Sequence, residues 1–201
     1  MKLIPTPLEN AFVRLEPMAE THREGLEAAV NADAAIWTEL YPVSWAGAHF
    51  APTWSRLMSD AAAGHTQPYA VVAGNEVVGI TTFYAIDPPN AAVEVGGTYY
   101  RPDRRGGPVN PSAKRLMMGH AFEAGARRVA YRVDALNLRS RAAVLKLGAV
   151  QEGILRQDRQ TWTGRVRDTV IFSILETEWP AVRDRLDARI AAFGASPQWG
   201  T

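Results

Sequence analysis

Glu94-Val-Gly-Gly-Thr-Tyr-Tyr-Arg-Pro-Asp-Arg-Arg-Gly-Gly-Pro-Val-Asn110 is the stretch on which the reading of this chain turns. Ala92–Tyr100 reads as a strand that ends in an arginine- and glycine-rich loop. A helix is expected directly afterwards. Asn110 would cap it, and Pro111 would sit in its first turn, where a missing N–H costs nothing. Ala113, Leu116, Met117, Ala121 and Ala124 give that helix an apolar face. Val129, Tyr131 and Val133 then alternate as a strand, and Leu138–Leu147 reads as a helix closed by Gly148. A helix start presents free N–H groups and roughly half a positive charge. The loop glycines let backbone approach a phosphate closely, and Arg104 and Arg105 add charged donors. Taken alone, the loop reads more simply as a surface turn with solvated arginines.

Upstream, Phe12 to Leu15 reads as a short strand, and Thr21-His-Arg-Glu24 as a capping box opening a helix that runs to Asn31. Residues 34–50 are rich in aromatics without a clean period, which predicts a loop. A second helix is expected over 52–63, with Trp54, Leu57, Met58 and Ala61 on one face. Tyr69–Ala73 and Val77–Tyr84 form a hairpin around Gly74-Asn75, and Asp87-Pro-Pro-Asn90 is a turn. Downstream, two strands are expected near 152–162 and 166–175. A last helix carries Trp179, Val182, Leu186, Ile190 and Phe193 at helical spacing. The tail over 194–201 reads as frayed. The element order predicts one mixed α/β (α+β) domain over 1–201, too irregular for a doubly wound sheet.

Composition narrows the function. There is no cysteine, so disulfides, thiolate metal sites and a cysteine nucleophile are excluded, and a reducing, cytoplasmic setting is expected. A net charge of +1, from 22 basic and 21 acidic side chains, argues against general nucleic-acid binding. No apolar run reaches membrane-spanning length. His22, His49, His65 and His120 show no ligand spacing, so no metal site is expected, and His120 reads as a packing residue. Neither G-x-x-x-x-G-K-[ST], G-x-G-x-x-G nor G-x-S-x-G occurs, which removes the P-loop, dinucleotide and nucleophile-elbow readings.

Four runs carry a resemblance to a known family: Val93-Glu-Val-Gly-Gly97, Arg105-Gly-Gly-Pro-Val-Asn110, Val133-Asp-Ala-Leu-Asn-Leu-Arg-Ser140 and Leu145-Lys-Leu-Gly-Ala149. Together they resemble the GNAT acetyltransferases, and more narrowly the RimJ/RimL-type branch that acetylates ribosomal-protein N-termini. The run Arg139–Leu155 and the later Gly164–Ser173 are similar to that branch, and the likeness covers roughly residues 8–190. The resemblance implies a mostly antiparallel twisted sheet that splays between its fourth and fifth strands, with the arm of acetyl-CoA in the gap. It implies pyrophosphate contacts from the loop residues Arg104, Arg105, Gly106, Gly107, Val109 and Asn110. It implies arm contacts from Val95, Gly97 and Asn137, and places Ser140 near the sulfur. A homodimer is a further family-level expectation. The loop departs from the family pattern at Pro108, where glycine is usual on the Arg105 alignment. Loss of one N–H to phosphate predicts about ten- to hundredfold weaker binding, unless an arginine compensates or the loop is reshaped.

Within this resemblance, Glu94 is the expected base for an attacking amine, and Ser140 the candidate proton donor to the leaving thiolate. The bland alternatives are a solvent-facing strand residue and a helix first-turn residue that satisfies backbone donors. Many GNAT enzymes carry a tyrosine in this region, and none follows Asn137 here. Trp37, Tyr41 and Trp45 are either core or the wall of an acceptor pocket. The acceptor is a protein N-terminus or a small-molecule amine. With only Asp33 and Glu39 in the aromatic segment, polyamines and aminoglycosides are disfavoured. The competing class is a non-catalytic CoA-binding module.

Overall fold

The computed structural model describes residues 1–194, so the expected fraying of the tail falls outside the described residues beyond Gly194. Eight strands form one sheet: β1 (Leu8–Glu9), β2 (Arg14–Pro17), β3 (Gln67–Ala73), β4 (Glu76–Asp87), β5 (Ala92–Tyr100), β6 (Arg128–Asp134), β7 (Val150–Gln160) and β8 (Val166–Leu175). Their order across the sheet is β1-β2-β3-β4-β5-β6-β8-β7, and only the β5–β6 pair is parallel. The helices are α1 (Arg23–Asn31), α2 (Ile36–Leu40), α3 (Phe50–Ala62), α4 (Val109–Glu123), α5 (Leu138–Leu147) and α6 (Trp179–Ala191).

Side chains alternate across each strand, so the two faces of the sheet build two cores. On one face Val93, Val95, Val129, Tyr131, Phe172 and Ile174 pack against α4 and α6 through Met117, Met118, Val182 and Leu186. On the other, Ala70, Ile80 and Tyr99 pack under α1, α2 and α3 through Leu26, Val30, Trp37, Phe50, Trp54 and Leu57. Each large apolar side chain buried this way contributes roughly 1.5–3 kcal/mol. β6 and β8 bury only the first of these faces in apolar contacts. Their other face carries Arg132, Asp134, Arg167 and Thr169, a polar surface beside the second core.

Several expectations are corrected. The first strand pair is β1 with β2, and Phe12 and Val13 lie buried in the turn between them, held by Asn10 Oδ1. Thr21 does not cap α1. A 3-10 turn over Glu20–His22 precedes the helix, and His22 Nδ1 accepts the Ala19 N–H at 3.1 Å while its Nε2 meets Glu16. An imidazole held by a carboxylate replaces the hydroxyl here. The aromatic segment contains the short helix α2 within its loops. Asn110 does not cap α4, which starts at Val109, two residues earlier than expected, with Pro108 at the cap position. Phe193 lies past α6 and is exposed, so it does not extend that helix's apolar stripe.

Candidate active site

β5 and β6 are paired only through Ala92↔Arg128, Val93↔Val129 and Glu94↔Ala130. Beyond Glu94 the two strands part. Val95–Thr98 on one side and Tyr131–Asp134 on the other line a gap whose facing backbone edges have no ladder partner. The cause is local. Two register shifts break the β4–β5 ladder, and Gly97 takes the left-handed region at φ +55°. A Cβ at Gly97 would lie 2.4 Å from the Tyr84 hydroxyl, so the bulge requires glycine for both its backbone and its neighbour. Gly97→Ala is expected to lower the unfolding free energy by about 1–3 kcal/mol in urea denaturation. An unchanged midpoint would show that Tyr84 swings away and the bulge tolerates a side chain.

Glu94 stands at the foot of the gap, opposite Tyr84 on the face of the second core. Its side chain is 16% exposed, and Arg132 Nε lies 4.0 Å from its Oε2. Burial raises its pKa, against the lowering pull of Arg132, Arg159 and Arg167. A carboxylate held this way is a better proton acceptor than an exposed one.

At the mouth of the gap, the N–H groups of Val109 and Asn110 belong to the first turn of α4 and have no intrahelical acceptor. Pro108 and Pro111 bring none. Gly106 (φ +80°) and Gly107 face open space. Arg105 pins this loop: Nη1 donates to Asp33 at 2.6 Å, Nε donates to the Tyr100 carbonyl at 2.8 Å, and the guanidinium lies over the Tyr99 ring. Its Nη2 is buried without a hydrogen-bond partner among the described residues. Arg104 pairs with Glu76 and Asp103, although its Nε is out of line for a hydrogen bond to Asp103. Both arginines therefore arrive at the loop already carrying carboxylate partners.

Asn137 caps α5, its Oδ1 accepting the Ser140 N–H at 3.0 Å. Its amide NH₂ and the Ser140 hydroxyl make no hydrogen bond to the described residues. Of the aromatic trio, Trp37 and Trp45 are 1% and 7% exposed and are parts of the second core. Tyr41 reaches the site differently: its hydroxyl donates to the Thr98 carbonyl at 2.7 Å and holds the far side of the bulge. His120 bonds the Ile4 carbonyl and takes no part.

One group at the gap escapes the sequence reading. Lys114, on α4, is 6% exposed and points into the sheet from the side opposite Glu94. Its Nζ donates to Thr98 Oγ1 at 2.6 Å and lies 5.9 Å from the centre of the Tyr131 ring. A longer contact, 3.4 Å, reaches Thr81 Oγ1. No carboxylate pairs with it among the described residues, and burial pushes its pKa down to about 7. Tyr100 Oη, Tyr131 Oη and Ser112 Oγ, on strands and helix around it, are buried without hydrogen-bond partners among the described residues. Orphaned buried donors beside an unladdered gap mark a place built for a polar occupant.

The sequence profile of the acetyltransferase (GNAT) domain matches residues 13–150. The chain belongs to the GNAT acetyltransferase family. A GCN5-related N-acetyltransferase from Brucella melitensis is 31% identical, with 94% of this chain and 86% of that one covered and a TM-score of 0.85. RimJ from Mycobacterium smegmatis, solved with a CoA-disulfide, is 24% identical over 92% of this chain and 93% of its own, at a TM-score of 0.77. The microcin self-immunity acetyltransferase MccE, solved with acetyl-CoA and AMP, is 18% identical over 83% and 93%, at 0.72. No curated protein matches by sequence. The GNAT chain is an acetyl-CoA-dependent N-acetyltransferase. Its gap, open α4 start and orphaned polar atoms fit an extended co-substrate with a polar arm and an anionic end.

Proposed function

We propose that this enzyme acetylates a primary α-amine, such as a protein N-terminus, in the manner of the RimJ/RimL-type branch that its motifs resemble. The observation that carries the reading is the half-buried Glu94 at the foot of the β5–β6 gap. The N–H groups of Gly106, Gly107, Val109 and Asn110, with Arg104 and Arg105, would hold the pyrophosphate. The free edge at Val95 and Gly97 and the Asn137 amide would hold the arm. The amine attacks the thioester carbonyl, so that a C–N bond forms and the C–S bond breaks. Glu94 takes the ammonium proton through a water, and a bulge N–H near Gly97 or Thr98 meets the oxyanion. The unbonded Ser140 hydroxyl is the donor assigned to the thiolate. Tyr41 holds the bulge, while Trp37 and Trp45 shape the segment from beneath.

The α-amine is favoured by its acidity. With a pKa near 8, about one-tenth is neutral at pH 7, whereas lysine near 10.4 is neutral at about one part in a few thousand. A single modest carboxylate suffices for the first and not for the second. We place the protein in the cytoplasm as one catalytic domain over 1–201, a setting supported by the absence of cysteine. Among the described residues no helix is long and apolar enough to cross a membrane.

The test is incubation with acetyl-CoA and a panel of tetrapeptides with free α-amines, reading CoA release and the mass and position of the acetyl group. Acetylation at the α-nitrogen is the expected result. Modification of lysine side chains or polyamines alone overturns the acceptor class. CoA binding without any turnover would favour a non-catalytic module.

A further inference from the structure

The sheet face that carries Glu94 also carries a phenol that no step above uses. Tyr84, on β4, is the direct cross-strand partner of Glu94 and so shares its face. Its ring leans along β5 toward the bulge and covers two glycines. A Cβ at Gly96 would lie 3.3 Å from Tyr84 Cδ2 and 3.1 Å from Glu94 Oε1. A Cβ at Gly97 would collide with Tyr84 Oη itself. Glu94 and Tyr84 therefore flank one stretch of bare backbone, the carboxylate at Gly96 and the phenol oxygen at Gly97. The second Glu94 oxygen turns toward Arg132 on β6, so the carboxylate reaches from β5 across the foot of the gap.

The polar groups around this stretch are left open. Thr82 lies opposite Gly96 and two residues before Tyr84, on the same face. It is fully buried, and its Oγ1 has no hydrogen-bond partner among the described residues. Thr82 tempers the pKa of Tyr84, but the two hydroxyls are out of hydrogen-bond geometry. Burial is the larger effect and raises that pKa, so the phenol keeps its proton at neutral pH. Tyr84 thus presents an uncharged oxygen with a free lone pair, next to the bulge and on the side from which an amine reaches Glu94. Unbonded hydroxyls beside bare backbone leave room for a polar occupant that packing alone does not explain.

We propose that Tyr84 Oη holds the acceptor nitrogen at the bulge, and that this contact selects primary over secondary amines. This rests on acetyl transfer at Glu94 as proposed above. The proton count gives the selectivity. A primary ammonium has three N–H bonds. One proton leaves to make the nucleophile. The C–N bond then forms, the C–S bond breaks, and a second proton leaves to give the amide. The third N–H persists from ammonium to amide, and it donates to Tyr84 Oη. A secondary ammonium starts with two N–H bonds and ends with none, so nothing is left to hold its nitrogen against the thioester. The nitrogen gains positive charge as it attacks, which strengthens the hydrogen bond in the transition state and places its effect in kcat.

The test compares Ala-Ala-Ala-Ala-amide with its counterpart methylated on the α-nitrogen, in the wild type and in Tyr84→Phe. Phenylalanine keeps the ring over the two glycines, so folding and the KM for acetyl-CoA should be unchanged. The expected result is a loss of about tenfold in kcat on the primary amine alone, the range of one hydrogen bond to a charged group. The preference for the primary amine then shrinks by the same factor. Any steric penalty of the methyl group is common to both proteins and cancels. Equal rates in the two proteins overturn the inference and leave acetyl transfer standing. A loss shared by both acceptors also overturns it, because a merely structural role has that signature. Should no amine turn over, the N-acetyl forms of the two peptides are titrated into CoA-saturated wild type and Tyr84→Phe by calorimetry. A preference for the N–H form that Tyr84→Phe abolishes supports the inference, and the same preference in both proteins overturns it.

Discussion

Lys114→Met is expected to make this protein more stable at neutral pH, by about 2–4 kcal/mol. An ammonium in the core between α4 and the sheet loses its hydration and has two hydroxyls, but no carboxylate among the described residues, in return. Methionine has similar length and restores apolar contact beside Met117 and Met118. Thr81 and Thr98 lose a partner but still bond each other at 2.9 Å, so the substitution does not strand them. The linkage fixes the pH dependence. The folded pKa, near 7, lies below the unfolded value near 10.4, so between these limits the unfolded chain binds more protons. Stability of the wild type therefore rises with pH across this window, and the cost of Lys114 is full below it. Urea denaturation of both proteins at pH 7, 8, 9 and 10 should show the advantage of the variant shrinking step by step as pH rises. A constant difference would mean that Lys114 is not a desolvated cation in the folded state. A residue that costs stability at the wall of the β5–β6 gap is the kind that function retains, and the variant's acetyl-transfer rate is the natural companion measurement.

How much of this was legible in the sequence differs between fold and site. The bounds of β5 follow from its alternation, and α5 ends where Gly148, at φ +100°, provides the left-handed cap. The hairpin at Gly74 and the Asp87 turn are set by local chemistry that any window of a few residues displays. The failures are non-local. Thr21 fits a capping box, but His22 takes over because Glu16, on β2, holds its ring. Trp37 and Trp45 have no period, and only the packing of α2 and α3 on the sheet makes them core. Lys114 did leave a signal: it lies three and four residues before Met117 and Met118, on the same stripe, where a charge should not be. Arg167 leaves none. Its alternation assigns the face, but its burial arises only when β7, β8 and α2 come together.

Glu94→Gln is expected to lower kcat at pH 7 by about a hundredfold, the low end of what a positioned base supplies. Glutamine keeps the shape, and at 4.0 Å Arg132 makes no hydrogen bond to Glu94 that the change would break, so folding and acetyl-CoA affinity should be unchanged. The pH profile is more discriminating than the single rate. In the wild type, burial raises the Glu94 pKa, so activity falls as pH drops through that raised value and the carboxylate gains a proton. The variant has no such limb. Its rate should follow only the neutral fraction of the acceptor, rising about tenfold per pH unit until the α-amine, near pKa 8, is deprotonated without help. The gap between the two curves therefore narrows from about a hundredfold at pH 7 to about tenfold at pH 8, and widens below pH 7. Parallel curves at all pH values would show that Glu94 positions the bulge or the acceptor electrostatically and moves no proton. An unchanged rate would return it to the ordinary status of a strand residue facing Tyr84. The geometry favours the first outcome: a carboxylate at the foot of an unladdered gap, largely desolvated and with Arg132 no closer than 4.0 Å, retains the basicity that a tight ion pair would remove.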